Sequence, residues 1–278
     1  MNVGPLKDQT RRRLLLAVVG GVNLEAFNLK LAALGADATM DEDVLRRYVG
    51  LRARLDGRPV FALSRGIDMA IVDGTLVPMR GNLILQATRA IENGDGGWDL
   101  PYVETTLVTE PFSFIYRPDW ENPLTGERRT LSPPIVSVTT LKMDARGRLL
   151  NRLVLPNGLA VDYSGAISSE AGLENAACSQ MSWRMRFTPP QGESFDAFAR
   201  MTLVQTGRGL RGFLPADSMA TSLRPKLPAA STGGREASQL SSFYGRKYPS
   251  ADRLRGTLDA RQRAGVAEFF DRWQMMLP

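Results

Sequence analysis

Short runs in which apolar and polar residues alternate recur along most of the chain, and this is the pattern of half-buried β-strands. Turn residues separate several runs, as in the Asp-Ala-Arg-Gly segment at 144–147. The predicted strands are 82–87, 103–108, 112–117, 135–143, 148–155, 159–163, 182–188 and 199–206. Many short strands with few helices favour an antiparallel sandwich or barrel over alternating strand and helix units. The sequence therefore predicts a mainly β protein.

One short helix stands out before these strands. The segment Thr39-Met40-Asp41-Glu42 has the spacing of a capping box, and acidic residues follow in the first turn. The pattern predicts a helix near 40–49 that Gly50 ends. Residues 51–55 then alternate apolar with basic, and Asp-Gly at 56–57 is a typical hairpin turn, so we expect a hairpin with one solvated, arginine-bearing face.

The alternation stops after residue 213. From 214 to 250 the chain is rich in Pro, Ser, Ala and Gly and is basic, which predicts an extended arm or linker. Residues 251–278 contain an amphipathic helix, with Phe269, Phe270 and Trp273 on the face expected to dock. The predicted divisions are a β-rich region at 1–213, the arm at 214–250 and the C-terminal helix at 251–278.

Composition narrows the possible chemistry. The 278 residues include no histidine and one cysteine, Cys178. Catalytic systems that need an imidazole are therefore excluded, as are imidazole-based and thiolate-cluster metal sites. The carboxylates Glu104 and Glu110 could face each other across a hairpin, but nothing around them in the sequence would set two different pKa values. We therefore expect no enzyme activity and no cofactor, and the sequence assigns no residue to a metal site.

The net charge of +6 is carried mainly by arginine, which pairs well with carboxylates and phosphates. The basic strand faces and the arm supply candidate contacts for assembly or for polyanions. These are Arg52, Arg54, Arg184, Arg186, Arg224, Arg235, Arg246 and Lys247. Trp183 and Phe187 lie close to two of them in sequence, so a platform for single-stranded nucleic acid is an alternative.

The N-terminal segment offers another alternative. Residues 10–19, Thr-Arg-Arg-Arg followed by an apolar run, look like a twin-arginine export signal, although the run is short. This reading would make the chain an exported binding protein or a carboxylate-based hydrolase. The competing interpretation is a buried strand with a basic lead-in.

The window from Thr39 to Met69 resembles the first jelly-roll domain of major coat proteins from corticovirus-type icosahedral phages that contain a membrane. The likeness covers about residues 24–73 and includes the helix, the 51–58 segment and Gly66-Ile67-Asp68-Met69. It implies an antiparallel sandwich of jelly-roll type, with one or two jelly rolls and a boundary near 118–134 in the second case. It also implies trimeric capsomers.

Taken together, these observations predict a non-enzymatic structural protein located in the virion, most simply a capsid subunit that assembles through strand faces and exchanged terminal segments. A phage tail or baseplate subunit is the nearest alternative. The expected partners are copies of the chain itself, other virion proteins, and packaged nucleic acid or internal membrane lipid, with no small-molecule substrate.

Overall fold

Ten antiparallel strands form a closed barrel in the computed structural model, which describes residues 42–154, 158–168, 178–209 and 212–277. A helix, α1 (Glu42–Arg52), precedes the strands. The barrel strands are β1 (Val60–Val72), β2 (Thr75–Thr88), β4 (Trp98–Thr109), β7 (Val136–Met143), β8 (Arg148–Val154), β9 (Ala160–Ser168), β10 (Cys178–Thr188), β11 (Phe195–Gln205), β12 (Ala216–Arg224) and β13 (Ala237–Tyr248).

The ring runs β2-β1-β13-β12-β11-β10-β9-β8-β7-β4 and closes because β4 also pairs with β2. The predicted jelly-roll sandwich is therefore wrong. A sandwich needs two sheets packed face to face, whereas here one sheet curls until its first and last strands meet. Short strands β3 (Ile91–Glu92), β5 (Asp119–Glu121) and β6 (Arg128–Thr130) lie outside the ring.

The region 214–250 is not an arm, because it contributes two strands to the barrel. β13 pairs with β1 from Phe61↔Tyr248 to Val72↔Ala237, and β12 pairs with both β11 and β13. A short helix, α2 (Ala229–Thr232), connects β12 to β13. The small residues that suggested a linker include Ser218, Ala220 and Ser222 on β12, which line the interior of the barrel.

Helix α1 lies at one end of the barrel as a plug. Its buried residues Leu45, Tyr48, Val49 and Leu51 pack on inward residues from nearly every strand around the ring. The predicted helix existed but continues past Gly50, and Arg52 belongs to it rather than to a hairpin strand. Gly50 serves packing here, since a Cβ atom would lie 3.3 Å from Leu214 Cδ1.

The C-terminal region forms three short helices instead of one long one. They are α3 (Ala251–Arg255), α4 (Ala260–Gly265) and α5 (Ala267–Met276). They pack on the outer face of β1, β2 and β4, where outward residues of these strands join Leu254, Leu258 and Phe269 in a second core. Among the described residues, no helix is long and apolar enough to cross a membrane.

Candidate functional site

A cavity of about 310 Å³ lies inside the barrel above α1. This volume is at the lower end of the range for small-molecule sites. Its walls are mainly apolar and rich in sulfur and aromatic rings. The principal apolar residues are Tyr48, Leu51, Ile84, Leu141, Leu149, Met181, Trp183, Met185, Met201, Leu203 and Phe243.

Inward-facing glycines shape this space. Gly66 on β1 lies opposite Phe243 on β13, and a Cβ atom on Gly66 would fall 2.0 Å from Phe243 Cδ1. Gly165 on β9 lies opposite Trp183 on β10, where a Cβ atom would fall 2.5 Å from the Trp183 Cβ. Gly66 therefore leaves room for the Phe243 ring, and Gly165 lets β9 lie close to the backbone and Cβ of β10 at Trp183.

Polar groups meet on one side of the cavity. Arg52 reaches in from α1 and donates a hydrogen bond from Nη2 to Gln86 Oε1 at 3.4 Å. Gln86 in turn donates a short hydrogen bond from Nε2 to Glu104 Oε2, across the β2–β4 register. The glutamine thus connects the guanidinium to the carboxyl group without a direct ion pair.

The remaining donors of Arg52 have weak partners. Its Nη1 donates to the Met201 sulfur at 3.0 Å, and a thioether is a poor acceptor. Within the described part of the chain, Arg52 makes no salt bridge. Because arginine stays charged at any physiological pH, the cavity contains a guanidinium that is only partly satisfied by protein.

The acidic and phenolic groups of the cavity have raised pKa values. Burial raises the pKa of Glu104, and the hydrogen bond from Gln86 and the charge of Arg52 act against this shift. Burial, with a smaller effect from Glu104, raises the pKa of Tyr163 to about 12. The pKa of Tyr102 is raised well above its usual value, again mainly by burial. In each of the three groups, burial shifts the equilibrium toward the uncharged form.

Lys247 on β13 also lines the cavity and is 7% exposed. Its ammonium donates to the carbonyl oxygens of Gly50 and Ala53, at 2.8 and 3.0 Å, and so caps the end of α1. Burial, followed by the nearby charge of Arg54, lowers the pKa of Lys247 to about 7.

A larger groove of about 670 Å³ lies outside the barrel, along β5 and β6. Its arginines pair with acids: Arg117 with Glu110 at 2.6 Å, and Arg128 with Glu121 at 2.8 Å. The groove therefore offers no partly satisfied charge of the kind that Arg52 presents, and the inner cavity is the better candidate site.

The predicted contact residues do not form one surface. Arg52 and Lys247 point into the barrel, Arg246 also borders its cavity, and Arg54 is buried. The others lie on several outer regions. Arg54 pairs with Asp56, Arg184 with Asp196, and Arg246 with Asp217. Arg186 is exposed, Arg224 lies 3.8 Å from the ring centroid of Phe195, and Arg235 donates to the Leu124 carbonyl.

The residues predicted to dock the C-terminal helix lie against this chain's own barrel. Phe269 is fully buried, Phe270 packs beside it, and the Trp273 ring meets Phe61 edge-on at 4.8 Å between centroids. The predicted export segment at 10–19 and the window before residue 42 lie outside the described residues.

Among the residues that the structure describes, no group of three or more acidic or cysteine side chains could hold a metal ion. The carboxylates Glu104 and Glu110 do not face each other: Glu104 points into the cavity, and Glu110 pairs with Arg117 outside it. Glu104 is a candidate residue from the sequence, whereas its partner Gln86 is not. Both are polar residues at inward positions of long strands, and this shared pattern could have identified Gln86.

No family model matches the chain, and no curated protein matches it. Solved structures similar to this chain at low identity include the following two. Ail, the attachment invasion locus protein of Yersinia pestis, is 11% identical, with 69% of this chain and 99% of that chain covered and a TM-score of 0.28. A DUF1329 family protein from Desulfovibrio piger ATCC 29098 is 8% identical, with 75% and 90% covered and a TM-score of 0.20.

These likenesses are too distant to support an argument about function, and the barrel is established by the strand pairings themselves. The closed barrel also overturns the predicted virion localisation and the description as a jelly-roll capsid protein, because both depended on the sandwich fold. No comparison bears on the coat-protein resemblance, which stays a prediction, as do the absence of enzyme activity and the expected self-assembly.

Proposed function

We propose that this protein binds a small amphiphilic molecule inside its barrel. The observation that carries the proposal is the largely apolar cavity of about 310 Å³ inside the barrel, with a few polar groups gathered on one side. Binding sites for small molecules combine these two features, since apolar walls provide affinity and a few polar groups fix orientation. This replaces the sequence-based expectation that the chain has no small-molecule partner.

The walls suit an apolar body of variable shape. Met181, Met185 and Met201 line the cavity together with Trp183. Methionine side chains are flexible and polarisable, so they adapt to different apolar surfaces and make favourable contacts with aromatic groups. Burial of each methylene group of a ligand contributes about 0.8 kcal/mol.

The polar side of the cavity suits a single head group. Arg52, Gln86 and Glu104 approach it from α1, β2 and β4, and the hydroxyl of Tyr163 faces it from β9. These side chains are only partly buried even though they lie inside the barrel, because their remaining surface faces the cavity. The surface that these side chains turn toward the cavity is available for hydrogen bonds to the head of a ligand.

The test is binding of three ten-carbon probes, decanol, decanoate and decylamine, measured by thermal unfolding and native mass spectrometry. A ligand that binds the folded state at a hundred times its dissociation constant stabilises it by about 2.7 kcal/mol. We expect a saturable rise in melting temperature with at least one probe. No saturable binding of any of the three would overturn the proposal.

A pair of variants on β11 places the site. Ala199 is buried and lines the cavity, so Ala199→Phe should fill it and abolish binding. Thr202 lies on the same strand and accepts a hydrogen bond from Gln180 instead, so Thr202→Phe should leave binding unchanged. Circular dichroism of both variants checks that they fold. Equal binding by folded Ala199→Phe would exclude the cavity as the site.

A further inference from the structure

We infer that the head group of the ligand is a carboxylate, bound by the guanidinium of Arg52 while Glu104 holds a proton. This inference rests on the proposed binding function and specifies the ligand that the cavity takes. It follows from the arrangement of Arg52, Gln86 and Glu104 inside the barrel.

Arg52 lacks a charged hydrogen-bond acceptor among the described residues. A guanidinium has five donors in a planar fork that fits a carboxylate with two parallel hydrogen bonds. Here Arg52 uses one nitrogen for the Met201 sulfur and another for Gln86, at 3.0 and 3.4 Å. Both are uncharged acceptors, and the second bond is long. A charged acceptor entering the cavity would be a stronger partner than either.

Glu104 is not that acceptor, because Gln86 lies between it and Arg52. Gln86 lies directly opposite Glu104 in the strand register and is hydrogen-bonded to both Glu104 and Arg52. The amide therefore keeps the carboxyl group and the guanidinium apart. Glu104 lies in the same cavity as the proposed ligand head, so its negative charge would repel an anion there.

Protonation of Glu104 and binding of the ligand carboxylate are linked. A ligand carboxylate near Glu104 favours the protonated form of Glu104, which can then donate a hydrogen bond instead of repelling the anion. Burial already raises the pKa of Glu104, so less free energy is needed to hold this proton. Binding of the anion should therefore be accompanied by uptake of a proton, and affinity should fall as pH rises.

Other titratable groups face the same space and must be separated from Glu104 by experiment. They are Arg52 and Tyr48 from α1, Tyr102 from β4, Tyr163 from β9, and Lys247 and Arg246 from β13. Arg246 is paired with Asp217 at 2.9 Å. Of these, Lys247 also titrates near neutral pH, and its loss of charge would weaken anion binding in the same direction. The phenols have raised pKa values and stay neutral in this range.

The head-group test compares decanoate with decanol, which share the same apolar chain, at pH 7. We expect the full-length protein to bind decanoate at least about tenfold more tightly, the factor expected from one to two charge-assisted hydrogen bonds. Arg52→Met should remove this preference. Arg186→Met, at an exposed position of β10, is the matched control and should keep it.

The outcomes separate the inference from the proposed function. If decanol binds as tightly as decanoate, or if Arg52→Met keeps the preference, the cavity still binds amphiphiles but the carboxylate assignment is wrong. If none of the probes binds, the proposed function itself fails.

The proton test measures the affinity for decanoate from pH 6 to pH 8.5. We expect affinity to fall with rising pH in the unmodified protein and in Lys247→Met. Glu104→Gln, which cannot ionise, should bind more tightly at pH 8.5 and show a smaller slope, and the double variant Glu104→Gln/Lys247→Met should show none. A slope that persists in Glu104→Gln and disappears in Lys247→Met would assign the proton to Lys247 and overturn this part of the inference.

Discussion

The ammonium of Lys247 lies 2.8 Å from the carbonyl oxygen of Gly50, so the last barrel strand holds the end of the plug helix. Helix carbonyls in the last turn have no partner within the helix, and a cation there also complements the helix dipole. Lys247 satisfies the Ala53 carbonyl as well, at 3.0 Å. The contact joins two segments that are far apart in sequence and that together bound the cavity.

This buried lysine makes stability depend on pH. The pKa of Lys247 is lowered to about 7 in the folded state from a usual value of 10.5. Between these pH values the unfolded chain binds a proton that the folded protein has released, so the free energy of unfolding rises with pH. Lys247→Met should remove this contribution. The difference in unfolding free energy, unmodified protein minus variant, should rise by up to about 1.4 kcal/mol per pH unit above pH 7.

Urea denaturation at pH 7, 8 and 9 measures that difference. Lys142→Met, at an exposed position of β7, is the matched control and should show a difference that does not change with pH. A pH-independent difference for Lys247→Met would mean that the hydrogen bonds to α1 keep the ammonium charged throughout this range.

Alternation of apolar and polar residues predicted much of the barrel wall. The predicted strands 103–108 and 148–155 correspond closely to parts of β4 and to β8. The strand predictions succeeded because side chains alternate between the inner and outer faces of a barrel strand, so apolar and polar residues repeat with a period of two. Closure of the sheet was not predictable in the same way, since pairing of β2 with β4 depends on contacts between whole strands.

The linker predicted from composition at 214–250 was wrong, because strands in this region carry small side chains for another reason. β12 and β13 fall in the stretch 214–250, whose many Pro, Ser, Ala and Gly residues predict a linker. In the structure Ser218, Ala220 and Ser222 line the cavity, where larger side chains would fill it. A barrel that keeps an internal space must carry small inward residues, and these look like linker residues in the sequence.

The site was only partly visible in the sequence. Arg52 was selected for its charge, but its predicted strand position would have placed it on a solvated face. Helix α1 continues past Gly50 and turns it inward. Glu104 gained its partners Gln86 and Arg52 from other elements, and this association follows from the register and from the position of α1.

The contact between Gly66 and Phe243 predicts a sharp effect of adding one carbon atom. A Cβ atom on Gly66 would lie 2.0 Å from the Phe243 ring, so Gly66→Ala should destabilise the barrel by about 1–3 kcal/mol through overpacking. Gly94→Ala is the control, because a Cβ atom there meets nothing within 4 Å. Chemical denaturation provides the comparison.

Phe243→Leu should relieve the clash, so the double variant should be less destabilised than the sum of the single changes. Simple additivity would show that Gly66 is needed for another reason, such as the backbone path of β1.

The second core, on the outer face of β1, β2 and β4, predicts that the C-terminal helices stabilise the barrel. Phe269 is fully buried among outward residues of β1, β2 and β4, so Phe269→Ala should lower the free energy of unfolding by about 3–5 kcal/mol. Met275 lies on the same helix but is 78% exposed, and Met275→Ala should change stability by less than about 0.5 kcal/mol. Similar small effects for both variants would mean that α5 does not pack on the barrel in solution.

The wall of the barrel is weakest between β7 and β8, which share a single register pair, Met143↔Leu149, next to their turn. Beyond that pair, Asn151 Nδ2 donates to the Thr140 carbonyl at 2.6 Å and bridges the two strands. Asn151→Ala removes the bridge. Because a net hydrogen bond contributes about 1 kcal/mol, local opening should become about fivefold more frequent.

Hydrogen exchange of β7 and β8, read by mass spectrometry, measures this opening. Gln180→Ala is the control, since it removes a similar side-chain bridge to Thr202 where β10 and β11 are paired along their length. That ladder should hold the strands together, so exchange there should barely change. If Asn151→Ala leaves exchange in β7 and β8 unchanged, the gap is closed by packing rather than by this bond. If exchange accelerates and decanol also associates faster, the same gap is the route by which a ligand reaches the cavity.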